Sequence, residues 1–345
     1  MTALRTVETG TEHLHARVEG RVGRITLDRP KALNALTMPM LHGMHRALRA
    51  WLHDDAVRTV VLDSTASPRA FCAGGDIVAV RDSALGDHRL ARALWRHEYT
   101  LDLRLARYPK PVVSFLDGLV LGGGVGIGAH RPVRVVTATT QLAMPEVAIG
   151  LAPDVGGLYL LARLPDELGT HAALTGARLD AATLLRVGLA EAFVPTDHLP
   201  DLLDRLRTTD AAVAVAAAAT TPPDAAPTPA WIPRCFTGDD AEEIVRRLRA
   251  EAEPAAHAAA DTMESGSPIA LAVTLAGLRR AAAMTDLAQC LRQDYALSCA
   301  FLAGPDLPEG IRATVVDKDR TPRWSVTGLA AVSAAQVASY FTDDR

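Results

Sequence analysis

The chain has 345 residues, of which 49% are hydrophobic and 22% charged, so it is long enough to bury one large core and a smaller second one. Its formal net charge of -4 argues against nucleic acid or an anionic membrane as a partner. The 4 cysteines form no C-x-x-C pair, which disfavours both a disulfide framework and a zinc site. No apolar leader or bilayer-length apolar run is present, so we expect a soluble, cytoplasmic protein. From the cysteine spacing, we expect no metal.

The N-terminal part of the chain predicts strands that alternate with helices. Residues 13–27 contain two short alternating runs on either side of Gly20, which is typical of a β-hairpin. Apolar positions repeat at helical spacing over residues 37–54, and residues 57–62 form the apolar run of a buried strand. That strand leads into the glycine-rich turn FCAGGD at residues 71–76, where a short helix is predicted to begin.

The pattern of strand, glycine turn and helix then repeats. A long helix is predicted over residues 87–107, and Glu98 lies at the edge of its leucine stripe. An apolar strand at residues 112–116 is followed by the glycine run 122–126, which begins another helix. This repetition predicts a layered α/β fold.

The C-terminal part has a different composition. Residues 208–230 consist mostly of Ala, Thr and Pro, which is typical of a linker. Beyond it the apolar period is helical, and Asp240 and Ser267 stand where helices are predicted to begin. We therefore predict a catalytic core at residues 1–207 and a helical C-terminal domain at residues 231–345.

The sequence LAMPEVAIGLAPDVGG at residues 142–157 sets Glu146 and Asp154 among apolar residues, each directly after a proline. A buried carboxylate is costly to ionise, so it needs a partner or a function. Structural roles are the alternative: Asp154 caps a helix that begins near Gly156, and Glu146 forms a buried salt bridge. For Glu98, the alternative is an ion pair at the rim of its helix.

Two glycine turns, at residues 73–74 and 122–124, each open a helix after a buried strand. Free backbone N–H groups at such turns can stabilise an oxyanion, and Glu146 and Asp154 then transfer protons or attack an acyl carbon. Other chemistries have weaker support. The chain has no G-x-S-x-G elbow, and Cys72 lacks a histidine partner nearby in the sequence.

Six blocks carry a resemblance to a known family. They are DRPKALNAL at residues 28–36, FCAGGDI at 71–77, HEY at 97–99, GGGVGIG at 122–128, MPEVAIGLAPDVGG at 144–157 and EGIRATVVDKDRTPRW at 309–324. Through these blocks the chain resembles the crotonase (enoyl-CoA hydratase/isomerase) superfamily over nearly its whole length. The resemblance implies a spiral core of repeated β-β-α turns with a helical C-terminal region, which binds a bent CoA thioester.

The resemblance also implies a role for each candidate residue. The thioester carbonyl is expected between the N–H groups of Ala73 and Gly123. Glu146 attacks that carbonyl or activates the attacking water, Asp154 orients the water or the substrate hydroxyl, and Glu98 contacts the 3-hydroxyl end of the acyl group. Substrate-binding positions are expected at the adenosine end of CoA and beside the carbonyl: Lys31, Gly74, Asp76, Ile77 and Gly122. Lys318 and Arg320 are candidates for neutralising the CoA phosphates.

One position separates the activities within this superfamily. Hydratases resembling the chain carry a second glutamate where this chain has Gly126. The resemblance therefore implies hydrolysis of a 3-hydroxyacyl-CoA thioester, with 3-hydroxyisobutyryl-CoA from valine catabolism as the expected substrate. The alternatives are enolate chemistry of the hydratase or isomerase type, with Glu146 as sole base, and an acyl-CoA binder without activity.

The expected partner is this small-molecule acyl-CoA. CoA is part of the substrate, so no cofactor is expected, and a homo-oligomer is a further expectation of the resemblance.

Overall fold

A computed structural model describes residues 5–131 and 133–342. The chain forms two compact units that alternate along the sequence. The first comprises Met1–Gly75, Thr100–Leu142 and Leu179–Ala226, and the second comprises Asp76–Tyr99, Ala143–Arg178 and Pro227–Arg345. These units differ from the predicted division at residues 208–230. The reason is that two segments from the predicted core, Asp76–Tyr99 and Ala143–Arg178, pack with the C-terminal helices, and composition does not record such long-range packing.

The strands are β1 Arg5–Val7, β2 Leu14–Glu19, β3 Val22–Leu27, β4 Thr59–Ser64, β5 Ala70–Cys72, β6 Val112–Leu116, β7 Leu119–Leu121, β8 Arg134–Val136, β9 Gln141–Ala143, β10 Leu179–Asp180 and β11 Ala192–Phe193. The α-helices are α1 Met38–Trp51, α2 Ile77–Ala84, α3 Arg89–Ala106, α4 Gly123–Ala129, α5 Gly157–Leu161, α6 Leu168–Thr175, α7 Ala181–Arg186, α8 Leu199–Leu206, α9 Ala211–Ala218, α10 Trp231–Cys235, α11 Ala241–Ala250, α12 Pro254–Ser265, α13 Pro268–Ala282, α14 Leu287–Leu302, α15 Asp306–Ile311 and α16 Ala334–Ser339. Short 3-10 helices include Pro30–Ala32 and Glu146–Ile149.

The first unit is built on a 7-stranded sheet in the order β1-β2-β3-β4-β6-β8-β11. The predicted hairpin is the antiparallel pair β2 and β3, and each strand from β3 to β11 is parallel to its neighbour. Helix α1 connects β3 to the parallel strand β4, as parallel pairing requires a crossover. The confirmed alternation of strands and helices places this protein in the predicted α/β class.

A second sheet of 4 strands has the order β10-β9-β7-β5. Its strands β5 and β7 are parallel, so their carboxyl ends lie at the same edge. The glycine turns at residues 73–75 and 122–124 follow these two ends. The sheet therefore brings together the two turns that the sequence leaves 49 positions apart, between Ala73 and Gly122.

Helix α9 lies inside the segment predicted to be a linker. Its residues Ala211, Ala214 and Val215 are buried in one core cluster with Leu202 and Leu206 of α8. Alanine is the strongest helix former, and its small side chain packs closely once an apolar surface is available. The linker prediction was therefore wrong for residues 211–218.

In the second unit, two predicted helix starts are confirmed. The Asp240 carboxylate accepts from the N–H groups of Glu242 and Glu243 at the start of α11, and Ser267 Oγ accepts from Ala270 N at 3.2 Å at the start of α13. Helices α5 and α6 pack on α13, while α2 packs on α15. Over the described residues no helix is long and apolar enough to cross a membrane.

Candidate active site

Glu146 begins the 3-10 helix Glu146–Ile149 directly after Pro145. Its side chain is buried, with 6% of the residue exposed, and its Oε2 atom has no hydrogen-bond partner among the described residues. No ion pair to Glu146 exists in that part of the chain either. The alternative of a buried salt bridge is therefore wrong, and the carboxyl group has an oxygen available for a ligand.

Asp154 is buried just before a turn in which Val155 and Gly156 both have left-handed backbone angles, φ 51° and φ 75°. Gly156 is the N-cap of α5, and no side chain caps that helix. The carboxylate of Asp154 instead accepts a hydrogen bond of 2.6 Å from the hydroxyl of Tyr99. The helix-cap alternative for Asp154 is therefore wrong.

Glu98 lies on α3 with only 3% of its surface exposed. Its Oε1 atom has no hydrogen-bond partner among the described residues, so the alternative of a rim ion pair is also wrong. Glu98, Glu146 and Asp154 are close enough to perturb each other's ionisation, and all belong to the second unit. The structure thus brings together the acids that the sequence places 48 and 8 positions apart.

Burial is the main cause of the unusual acidity of this cluster. It raises the pKa of Asp154 to about 6, although the hydrogen bond from Tyr99 opposes the rise. Burial and the charge of Asp154 raise the pKa of Glu98 to about 8, and the same two causes raise that of Glu146 well above its ordinary value. Near neutral pH, Asp154 therefore carries the negative charge while Glu98 is mostly protonated.

Sequence reasoning missed two residues that complete the cluster, Asp294 and Ser298 of α14. The Asp294 carboxyl accepts from Gly156 N at 2.7 Å, and Ser298 Oγ lies 2.9 Å from the hydroxyl of Tyr99. Asp294 falls on the buried face of α14, between Cys290 and Leu297. An acid on the apolar stripe of a helix was the available signal.

The first unit contains the backbone N–H groups that were predicted to bind the thioester oxygen, those of Ala73 and Gly123. The structure differs from this prediction at Ala73. The N–H group of Ala73 donates to Leu33 O at 2.9 Å, so it is not free to bind an oxyanion. Among the described residues, the N–H groups of Gly75 and Gly123 make no hydrogen bond. They are among the donors available at this edge, and Gly75 takes the place that was predicted for Ala73.

Close packing explains why this edge is rich in glycine. Gly74 has φ +106°, and a Cβ there would lie 3.7 Å from Gly123 N, which shows how near the two turns are. At Gly124 a Cβ would lie 2.4 Å from the carbonyl oxygen of Cys72.

Gly126 is buried one turn into α4, so no carboxylate projects from that position. Gly122 is the N-cap of α4, and its carbonyl accepts from Val125 N at 2.8 Å.

The residues expected at the adenosine end of CoA have ordinary structural surroundings. Lys31 is exposed on the 3-10 helix Pro30–Ala32. Asp76 caps α2 by accepting from Ala79 N at 3.3 Å, and Ile77 is the first residue of that helix. Contacts of these residues with CoA stay a prediction.

In the C-terminal segment, Lys318 and Arg320 are exposed, and both have left-handed backbone angles. Arg312 nearby forms ion pairs with Glu309 and Asp317. Arg312 is thus already occupied, and the two exposed side chains are the candidates for contacts with phosphate. No cluster of metal-ligating side chains occurs among the residues that the structure describes.

Free N–H donors beside glycine turns, in the first unit, and a buried carboxyl cluster, in the second, are each typical of enzymes that act on a carbonyl group. The family model for enoyl-CoA hydratase/isomerase matches residues 22–341. The chain therefore belongs to the enoyl-CoA hydratase/isomerase family of the crotonase superfamily, as the sequence motifs predicted.

Relatives of known name fall into two groups: hydrolases among known proteins, and a dehydratase and a hydratase among solved structures. The chain is 37% identical to "3-hydroxyisobutyryl-CoA hydrolase, mitochondrial" of Danio rerio, over 97% of this chain and 90% of that protein. It is 39% identical to "3-hydroxyisobutyryl-CoA hydrolase 1" of Arabidopsis thaliana, over 92% and 88%. Among solved structures, a carnitinyl-CoA dehydratase from Mycobacterium thermoresistibile has a TM-score of 0.91 and 48% identity, covering 96% of this chain and 97% of that one. An enoyl-CoA hydratase from Rhodobacter sphaeroides has a TM-score of 0.87 and 41% identity over 96% and 97%.

Proposed function

We propose that this protein hydrolyses a 3-hydroxyacyl-CoA thioester, with 3-hydroxyisobutyryl-CoA as its main substrate, in valine catabolism. The observation that carries the proposal is the buried cluster of Glu98, Glu146 and Asp154 in a chain that has glycine at position 126. The relatives named 3-hydroxyisobutyryl-CoA hydrolase support the same reaction. The cytoplasmic location and the homo-oligomer stay predictions.

In this reaction, the N–H groups of Gly75 and Gly123 donate to the oxygen of the thioester carbonyl. That oxygen becomes negative as the tetrahedral intermediate forms, and each preorganised donor contributes about 3 kcal/mol to the transition state. Ionised Glu146 removes a proton from water as the water oxygen bonds to the carbonyl carbon. The intermediate then expels the CoA thiolate, which takes the proton from Glu146 and leaves as free CoA.

Glu146 has a second route, in which its own oxygen attacks the carbonyl carbon and water then hydrolyses the resulting anhydride. Borohydride added during turnover separates the routes. It reduces an acyl-glutamyl anhydride to a primary alcohol, which mass spectrometry detects at Glu146, but it leaves a general base unmodified.

The other acids have roles that follow from their protonation. Asp154, ionised near neutral pH, accepts hydrogen bonds from the attacking water or from the substrate hydroxyl. Glu98, whose pKa is raised to about 8 by burial and by the charge of Asp154, donates its proton in a hydrogen bond to the 3-hydroxyl oxygen. This pair gives the site a preference for acyl groups that carry a hydroxyl, since loss of that group would leave a buried carboxyl without a partner.

A second candidate function is hydration or dehydration of an acyl-CoA. The solved structures named as a dehydratase and a hydratase favour it, since their identity to this chain is 48% and 41%. Against it stands the absence of a carboxylate at Gly126, because the proton delivered in hydration needs an acid of its own.

Free thiol release tests the proposal. We expect rapid release of CoA from 3-hydroxyisobutyryl-CoA, slower release from 3-hydroxybutyryl-CoA and none from crotonyl-CoA. Glu146→Gln should abolish release, whereas Glu242→Gln, at an exposed position of α11, should match wild type. Loss of crotonyl absorbance without thiol release would instead establish the hydratase function, and near-normal release by Glu146→Gln would refute the role of Glu146.

A further inference from the structure

Helix α14 reaches the turn that carries Asp154, although the two segments are far apart in the sequence. The carboxyl oxygen Oδ2 of Asp294 accepts a hydrogen bond of 2.7 Å from the N–H group of Gly156. Asp294 is 1% exposed, and Asp154 and Asp294 belong to the same compact unit. The contact is therefore a buried hydrogen bond between a side chain and the backbone two residues beyond the candidate catalytic acid.

The turn held by this bond has an unusual backbone. Val155 adopts φ 51°, a left-handed conformation that β-branched residues almost never take, and Gly156 follows with φ 75°. Such a conformation persists only where the surroundings hold it in place. The hydrogen bond from Gly156 to Asp294 is one such restraint, and it acts on the Val155–Gly156 peptide, in the turn that directly follows Asp154.

The same face of α14 also holds the carboxylate of Asp154 through Tyr99. The Tyr99 hydroxyl donates to Asp154 Oδ2 at 2.6 Å and lies 2.9 Å from Ser298 Oγ, one helical turn after Asp294. The ring of Tyr295 packs edge-to-face on Tyr99, with 6.4 Å between centroids. One helix thus contacts both the turn that follows Asp154 and, through Tyr99, the Asp154 side chain.

We infer that Asp294 is a positioning residue, which orients Asp154 toward the substrate through the N–H group of Gly156. The inference rests on the proposed function, in which Asp154 acts on the water or the substrate hydroxyl. It gives the C-terminal helical region a part in the chemistry that the sequence motifs do not assign.

Burial opposes the ionisation of Asp294, which favours the neutral carboxylic acid. Burial raises its pKa well above the ordinary value, although the hydrogen bond from Gly156 N opposes the rise. The titratable groups that face it are Asp154, Glu146, Tyr99 and Cys290, and the Cys290 Sγ lies 3.6 Å from Oδ1. A neutral acid and an asparagine both offer one oxygen acceptor of the same shape. Asp294→Asn is therefore the conservative variant, while Asp294→Leu keeps similar volume but removes the acceptor.

Steady-state hydrolysis of 3-hydroxyisobutyryl-CoA tests the inference. We expect Asp294→Leu to lower kcat by about 10- to 100-fold with little change in KM, since a displacement near 1 Å has this effect. Asp294→Asn should stay close to wild type, because the amide oxygen can still accept from Gly156 N. The matched control is Gln293→Leu, which also removes a buried bond of α14, from Nε2 to Gly277 O at 3.2 Å. Equal losses in Asp294→Asn and Asp294→Leu, or in Gln293→Leu and Asp294→Leu, would overturn the inference.

A second measurement does not depend on hydrolysis. The pKa of Asp154 is read from its carboxyl carbon by NMR, with Asp154→Asn to assign the signal. Because burial raises that pKa to about 6, release of the turn in Asp294→Leu should lower it toward its ordinary value, and Asp294→Asn should not. If wild type releases no thiol, the proposed function fails, but this titration still decides the positioning role. An unchanged pKa in Asp294→Leu would refute that role.

Discussion

The buried carboxyl group of Glu98 should make the protein less stable as pH rises. Burial and the charge of Asp154 raise its pKa from 4.5 to about 8. Between these values the folded state keeps a proton that the unfolded state has released, so stability is highest below the lower value and falls until the pH passes the upper one. The slope for one such group is about 1.4 kcal/mol per pH unit.

Glu98→Gln removes this proton linkage while it keeps the shape of the side chain. From about pH 5 to about pH 7 the wild type should lose roughly 2.7 kcal/mol that the variant keeps, if Glu98 titrates alone. The amide also changes the free energy of unfolding by an amount that does not depend on pH. This constant offset leaves unchanged the slope, against pH, of the difference between wild type and variant. The slope is therefore the quantity that reports on burial.

Urea unfolding of both proteins across this pH range measures the difference between their free energies of unfolding. The transition to follow is the one that unfolds the second unit, which contains Glu98. The control is Glu309→Gln. Its ion pair with Arg312 lowers the pKa of Glu309, so the stability from that group is already fully present at about pH 5 and its difference should stay flat above that pH. Parallel curves for wild type and Glu98→Gln would refute the buried, protonated state of Glu98.

Further predictions concern the tyrosine, the packing of the donor turn and the phosphate contacts. Tyr99→Phe should raise the pKa of Asp154 above about 6, because the hydrogen bond from the hydroxyl lowers it; an unchanged carboxyl titration by NMR would contradict this. Gly124→Ala should cost about 1–3 kcal/mol in urea unfolding, since its Cβ would lie 2.4 Å from a carbonyl oxygen. In the control Gly86→Ala, the added Cβ would lie 3.4 Å from its nearest neighbouring atom, so the loss of unfolding free energy should be smaller. Lys318→Ala should raise KM for the CoA substrate and leave kcat unchanged in steady-state kinetics, and an equal fall in kcat would contradict a phosphate contact.

Local patterns predicted the local structure of this chain well. The alternating residues of the β2–β3 hairpin, the helical spacing of α1 and the caps at Asp240 and Ser267 all depend on neighbours in the sequence. The burial of Glu146 and Asp154 followed from their apolar surroundings in the same way. In each case the determining contacts lie within one element or one turn.

Errors arose where contacts are distant in the sequence. The Ala73 N–H group is occupied by Leu33 O, 40 positions earlier, so the free donor is Gly75 instead. Helix α9 forms because α8 offers an apolar surface, and the alanine-rich composition of residues 211–218 is also that of a linker. Asp294 contacts Gly156 across 138 positions. Periodicity and spacing carry no information about such pairs.

The cost of the carboxyl cluster is itself an argument for chemistry. Glu98, Glu146, Asp154 and Asp294 are all buried, and none is paired with a cation in the described part of the chain. Their raised pKa values mean that burial opposes ionisation at each of them. For stability alone, apolar residues of similar volume would serve better. A group of acids whose pKa values are separated by their surroundings, with Asp154 charged and Glu98 mostly protonated near neutral pH, is instead what proton transfer at a thioester requires.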